Sequence, residues 1–149
     1  MHNLAKNVKV TKMLGYQAAG TTDTLTSGYV DMSGFESVTF IAILGAITGS
    51  GTATLKAQSA TDSAFSDAAD LESTGIAASS PSNNNQVLIL EIVKPQERYV
   101  RPAIVRATAN SVVEAVIAIQ SNPDYKPTTH DTTTVKTPEV HVSPAEGTA

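Results

Sequence analysis

Between Phe35 and Asp67 the chain reads FESVTFIAILGAITGSGTATLKAQSATDSAFSD, in which two runs of alternating apolar and polar residues flank a turn rich in Gly and Thr. Side chains on a strand point alternately to its two faces, so a period of two commits this stretch to a pair of adjacent antiparallel strands with one face buried. In the first run Val38, Phe40, Ala42 and Leu44 share a face, and Ser37, Thr39, Ile41 and Ile43 share the other, so both sides are fairly apolar. In the second run Ala53, Leu55 and Ala57 point one way while Thr52, Thr54, Lys56 and Gln58 point the other. That split predicts one wet face. The connection from Gly45 to Gly51 holds three glycines able to take positive φ.

The same reading extends along the chain. Val8 to Tyr16 predicts a first strand, with Val8, Val10, Lys12 and Leu14 on one side and Lys9, Thr11 and Met13 on the other. Lysines on both faces discourage further pairing and make it an edge. GTTDTLT, from Gly20 to Thr26, predicts turn and loop, and Gly28 to Met32 a short strand. Ser and Asp recur from Ser59 to Gly75, which disfavours a helix, so a loop with at most one helical turn is expected there. AASSPSNNN, from Ala77 to Asn85, has the composition of an exposed flexible loop. Gln86 to Val93 is apolar on both faces and predicts a strand that is central or covered by another chain. Tyr99 to Thr108 is a further strand in which Pro102, lacking an N–H, signals an edge or a bulge. Val112 to Gln120 closes the domain, with Val113, Ala115, Ile117 and Ile119 expected inside and Val112, Glu114, Val116, Ala118 and Gln120 outside.

Seven or eight short strands without a convincing helix predict an all-β protein, an antiparallel β-sandwich or a jelly-roll-like barrel, with extended arms at both ends. The expected organisation is an N-terminal arm over 1–7, a β-domain over 8–122 and a Pro/Thr-rich C-terminal arm over 123–149. The second arm holds four prolines and almost no large apolar residues, too little to fold alone. Val135, Val140 and Val142 leave room there for a strand added to another sheet.

Composition narrows the function. The chain has no cysteine, which rules out disulfides and thiolate metal sites, and its core must be light because aromatics are 5% of the residues. Association with copies or partners would supplement such a core. The net charge of −4 gives no overall attraction to nucleic acid or to an anionic membrane. No apolar run approaches the roughly 20 residues of a membrane span, and MHNLAKNVKV lacks the apolar segment of a secretory signal. Lys6, Lys9 and Lys12 make the N-terminus locally cationic.

No catalytic constellation emerges. His2, His130 and His141 all fall in the arms, no G-x-S-x-G elbow is present, and the glycines of GAITGSG lack the Lys-Ser/Thr of a phosphate loop. Asp62, Asp67, Asp70 and Glu72 lack the spacing of a calcium loop. Glu91 and Glu114 lie in apolar strands, where a partner such as Arg101 or Arg106 on a neighbouring strand is the expected explanation. The reading is therefore of a non-enzyme with no cofactor and no metal. Tyr16, Tyr29, Tyr99 and Tyr125 are few and scattered, which weakens the alternative of a carbohydrate-binding module.

A compact β-domain rich in Ala, Thr, Ser and Gly, flanked by a cationic and a Pro/Thr-rich arm, resembles the small accessory proteins of tailed-bacteriophage virions. TATLKAQSATDSAFSDA, the RYVRP segment and VVEAVIAIQSNPDYKP are similar to phage head decoration, or cement, proteins over about Val38 to Pro127. The resemblance implies a structural protein on the outer capsid surface, made in the bacterial host cytoplasm and commonly trimeric, that clamps adjacent major capsid proteins. On this reading the partners are the major capsid protein and neighbouring copies of the chain. The contacts are expected from Lys6, Lys9 and Lys12 on one arm and from Tyr125, Lys126, Val135, Val140 and Val142 on the other. A tail, neck or fibre component is the nearest alternative.

Overall fold

The computed structural model describes residues 3–80, 82–142 and 145–148. His2 and Pro81 therefore lie outside the described residues, as do positions 143, 144 and 149 of the C-terminal arm. The chain forms two antiparallel sheets packed face to face, an all-β sandwich. In chain order the elements are α1 (Leu4–Asn7), β1 (Lys9–Leu14), β2 (Gln17–Gly20), β3 (Asp23–Thr26), β4 (Val30–Asp31), β5 (Phe35–Ile47), β6 (Thr52–Ala60), β7 (Ala69–Asp70), β8 (Ile76–Ser79), β9 (Val87–Val93), β10 (Tyr99–Ala107) and β11 (Ser111–Pro123). The front sheet runs β1-β11-β5-β9, with β2 also on β11; the back sheet runs β3-β10-β6-β7, with β4 on β10 and β8 on β6.

The alternation that identifies β5 and β6 also places them. Val38, Phe40, Ala42 and Leu44 turn inward from the front sheet and meet Ala53, Leu55 and Ala57 from the back. Phe40 is the largest fully buried side chain, and around it the core is aliphatic, with Leu44, Ile47, Leu55 and Ile104 beside alanines such as Ala42, Ala53 and Ala57. Two buried polar side chains, Gln120 and Arg106, bond across from one sheet to the other. Gln120 on β11, buried, donates from Nε2 to the Asp31 carbonyl at 2.7 Å. Arg106 on β10, only 6% exposed, donates from Nη1 to the carbonyls of Ala18 (2.7 Å) and Ser111 (2.9 Å), while Nε reaches Asp23 at 2.6 Å. A Cβ on Gly20 would collide with that guanidinium, which explains a glycine at this point of β2.

Several expectations change. GTTDTLT contains β3, because Asp23 to Thr26 pair with β10 and Asp23 holds Arg106. Ile76 to Ser79 form β8 on β6, so part of the expected loop is a strand. β10 is central, yet Pro102 is accommodated. β4 pairs with Tyr99 and Val100, β3 with Ala103 to Arg106, and Pro102 falls in the gap between them, where no N–H is required. In β11 the register shifts between Val113 and Ala115, a bulge that reverses the later side chains. Val113 stays inside, but Val116, Ala118 and Gln120 turn inward while Ala115, Ile117 and Ile119 face out. Finally, β9 is an edge strand and not a central one. Glu91 and Glu114 are exposed, and Arg101 and Arg106 lie in the other sheet, so the expected partnership does not form.

Candidate functional site

The bulge in β11 has a consequence for the outer surface. With Ala115, Ile117 and Ile119 turned out, cross-strand rows on the front sheet's outer face become apolar. One row runs Lys12, Ile117, Ile41, Ile89, and another Ala115, Ile43, Val87. Directly opposed residues share a face, so these side chains form one continuous patch. At its β9 margin Val87 and Ile89 are 49% and 60% exposed, and Val93, 60% exposed, follows beyond Glu91 and opposite Ser37.

The C-terminal arm covers the opposite margin. Val135 is half-buried and lines, with Thr134 and Lys136, a cleft of about 340 Å³ against Val10, Lys12, Ala115 and Ile117. The arm is fastened to the N-terminal segment. Thr128 donates from its N–H to the Lys6 carbonyl (2.9 Å) and from Oγ1 to the Val8 carbonyl (2.6 Å). Nδ1 of His130 accepts from the Val10 N–H at 3.1 Å, and Nε2 lies 2.8 Å from the Ala5 carbonyl. An imidazole nitrogen that accepts an amide N–H carries no proton, which leaves Nε2 as the nitrogen placed to donate to the Ala5 carbonyl. Asp131 shapes the next turn, accepting from the N–H and hydroxyl of Thr133. Those bonds, the side-chain bond first, hold its carboxyl below the ordinary range.

The eight residues singled out from the sequence fall into three groups. Lys6, Val135 and Val140 line one cavity of about 470 Å³ between the two arms, along with His130 and Pro138. Lys9 and Lys12 lie on β1 and belong to the sheet, and Lys12 joins Val135 at the smaller cleft. Tyr125 (87% exposed), Val142 (94% exposed) and Lys126 stand apart in solvent. The described arm contains no strand, so Val135, Val140 and Val142 add to no sheet within this chain.

Sequence reasoning missed the outward isoleucines of β11, whose phase only the bulge reveals, and it missed a gathering of aromatics on the back sheet. Tyr29 and Tyr99, expected to be scattered, lie edge to face with centroids 5.2 Å apart, and Phe65 is 5.8 Å from Tyr29. Tyr29 immediately precedes β4 and Tyr99 opens β10, so the pairing of those strands brings the rings together. Among the described residues no group of three or more His, Asp or Glu side chains is placed to hold a metal ion, and no helix is long and apolar enough to cross a membrane. No protein-family model matches the chain, and comparison with curated proteins finds no relative.

Proposed function

We propose that this chain is a structural virion protein of the decoration class, which binds the outer surface of an icosahedral phage capsid and clamps neighbouring major capsid proteins together. The observation that carries the reading is the half-covered front face. Its β1/β11 side is flanked by the chain's own arm across a cleft, while its β5/β9 side ends in an edge strand with three exposed aliphatic side chains. Edge strands are normally blunted by charge, proline or a covering element, because their free N–H and C=O groups recruit further strands. β9 has Glu91 as its single charge and no proline. Covering Val87, Ile89 and Val93 would contribute on the order of 1–2 kcal/mol each at roughly 25 cal/mol per Å². A protein surface, either a capsid subunit or a second copy, supplies that cover.

The light core supports the same reading, since a sandwich with Phe40 as its one fully buried aromatic side chain and alanines among its aliphatic residues gains from burial outside itself. The arm, fastened at Thr128 and His130, places Val135 and Lys136 beside Lys12 of β1 at the margin of the apolar face, so charged and apolar contacts are presented together. Light scattering of the purified protein, alone and with capsids, tests this. The expected result is an oligomer, a trimer on the family resemblance, that is depleted from solution by expanded capsids. A monomer that ignores capsids would contradict it, and labelling that fell on the tail would move the protein to another part of the virion.

A further inference from the structure

The back sheet carries a second surface that involves neither the arms nor β9. Phe65 sits at φ 56°, in the left-handed region, within a turn tied by Asp62, which accepts from the Ala64 N–H at 2.7 Å and from the Ser66 hydroxyl. A phenylalanine rarely adopts this conformation, and here it delivers the ring to the outer face beside Tyr29. The Arg101 guanidinium lies over that ring, 4.3 Å from its centroid, and Nε donates to Gln58 Oε1 at 2.8 Å. Gln58 is itself fixed by Asp70 at 2.8 Å. The guanidinium is thus held on one face by Phe65 and along one edge by Gln58.

Among the described residues its two terminal nitrogens have no hydrogen-bond partner. Arg98 and Arg106, the other two arginines, are bonded to Asp31 and Asp23 through both Nε and Nη2. Arg101 meets no carboxylate among the described residues. The nearby acids are committed elsewhere: Asp62 to Ala64 and Ser66, Asp67 to Thr61, and Asp70 to Lys56 and Gln58. A planar, pre-oriented fork with both outer nitrogens free among the described residues has the geometry that binds a carboxylate through both oxygens. Tyr29, 43% exposed beside it, offers an apolar ring with a hydroxyl.

We propose that Arg101, Phe65, Tyr29 and Tyr99 form a docking shelf for an acidic segment of a partner protein. An aspartate or glutamate of that segment bonds both terminal nitrogens of Arg101, and an adjoining apolar side chain covers Tyr29. Tyrosine and arginine dominate the energetics of protein contacts where they are held in place before binding, and here the ring stack and Gln58 supply that restraint. Among the described residues Arg101 is the arginine with no carboxylate of its own, and an incoming carboxylate supplies the pair that Asp31 and Asp23 supply to Arg98 and Arg106.

The test uses the full chain and a hexapeptide of alternating Glu and Leu, followed by nuclear magnetic resonance. Saturable shifts are expected at the Arg101 Nε–H and at the rings of Tyr29, Phe65 and Tyr99, with none for the matching Gln/Leu peptide. Arg101→Gln is expected to weaken binding about tenfold, and Arg101→Lys nearly as much, because lysine keeps the charge but loses the fork. Tyr29→Ser, a second variant away from the guanidinium, should weaken it severalfold. Ile89→Ser should leave it unchanged, which separates this shelf from the front face. Shifts elsewhere, equal binding by Arg101→Gln, or equal binding of the Gln/Leu peptide would overturn the proposal. Tighter binding of an oligogalacturonate than of the peptide would also overturn it, by assigning the shelf to an acidic glycan.

Discussion

The two outer faces of the sandwich are built on opposite plans. On the back sheet, β6 presents Thr54, Lys56 and Gln58, and Asp70 from β7 neutralises Lys56 at 2.6 Å. Its charges and amides are largely satisfied within the chain, and Arg101 is the arginine that meets no carboxylate among the described residues. On the front sheet, β5, β9 and β11 present Ile41, Ile43, Ile89, Ile117 and Ile119, and the chain covers only one side of them. Strand pairing and core packing are common to both sheets, so the difference lies in the outward residues alone. One face is finished by its own side chains, whereas the other needs something laid upon it.

That contrast exists only while the sheets are held together, so the largest effect should come from releasing them. Arg106→Met removes the charged donor to the carbonyls of Ala18 and Ser111 from a buried position, and a loss of about 3 kcal/mol is expected. Chemical denaturation would measure it, and a change under 1 kcal/mol would show that these bonds do not join the sheets. Asp23→Ala strands the guanidinium and should cost a similar amount.

Acid should attack the back sheet. Asp23, Asp31 and Asp70 are all held below the ordinary carboxylate range, chiefly by hydrogen bonds from Arg106, Arg98 and Lys56 respectively. A carboxyl whose pKa is depressed by folding stabilises fully above its unfolded value, and the contribution disappears as pH falls through the folded value. Stability should therefore decline from about pH 5 downward. Asp23→Asn should flatten the part of that decline due to Arg106, and an unchanged slope would show that the pair does not couple to folding.

The smallest effects belong to the arm on the front face. His130→Ala removes one acceptor and one donor, and should loosen the arm locally by about 1 kcal/mol. Hydrogen exchange at the Val10 amide should then accelerate about fivefold with little change in Tm. Val135→Ser should act in the same direction by uncovering Ile117. If neither variant alters exchange along β1, the arm does not cover that margin.

How much of this contrast could be read from the sequence depends on where a period of two survives. It survives in β5 and β6, where Phe40 and Leu55 fall inside as their spacing requires. It fails at Glu114, because a bulge adds one residue to the count without any local mark, and Ile117 and Ile119 change sides. Val87 to Val93 reads as apolar on both faces, and that is correct as chemistry. Its place at an edge depends on strand order, which distant pairing decides. Pro102 carries a true signal, a missing donor, but the gap between β3 and β4 satisfies it inside a central strand. The arms read as polar and unfolded because nothing in PTTH announces that Thr128 and His130 will bond to Lys6, Val8, Val10 and Ala5 more than a hundred positions away. The shelf was hidden for the same reason: Tyr29, Phe65 and Tyr99 become neighbours only once β4 and β10 pair.

The most direct measurement is hydrogen exchange of the protein with and without expanded phage capsids. Slowed exchange along Val87 to Val93, with Thr52 to Gln58 unchanged, is the result predicted by a chain that completes its front face on the capsid. Unaltered exchange in β9 in the presence of capsids, or slowing confined to the back sheet, would contradict it.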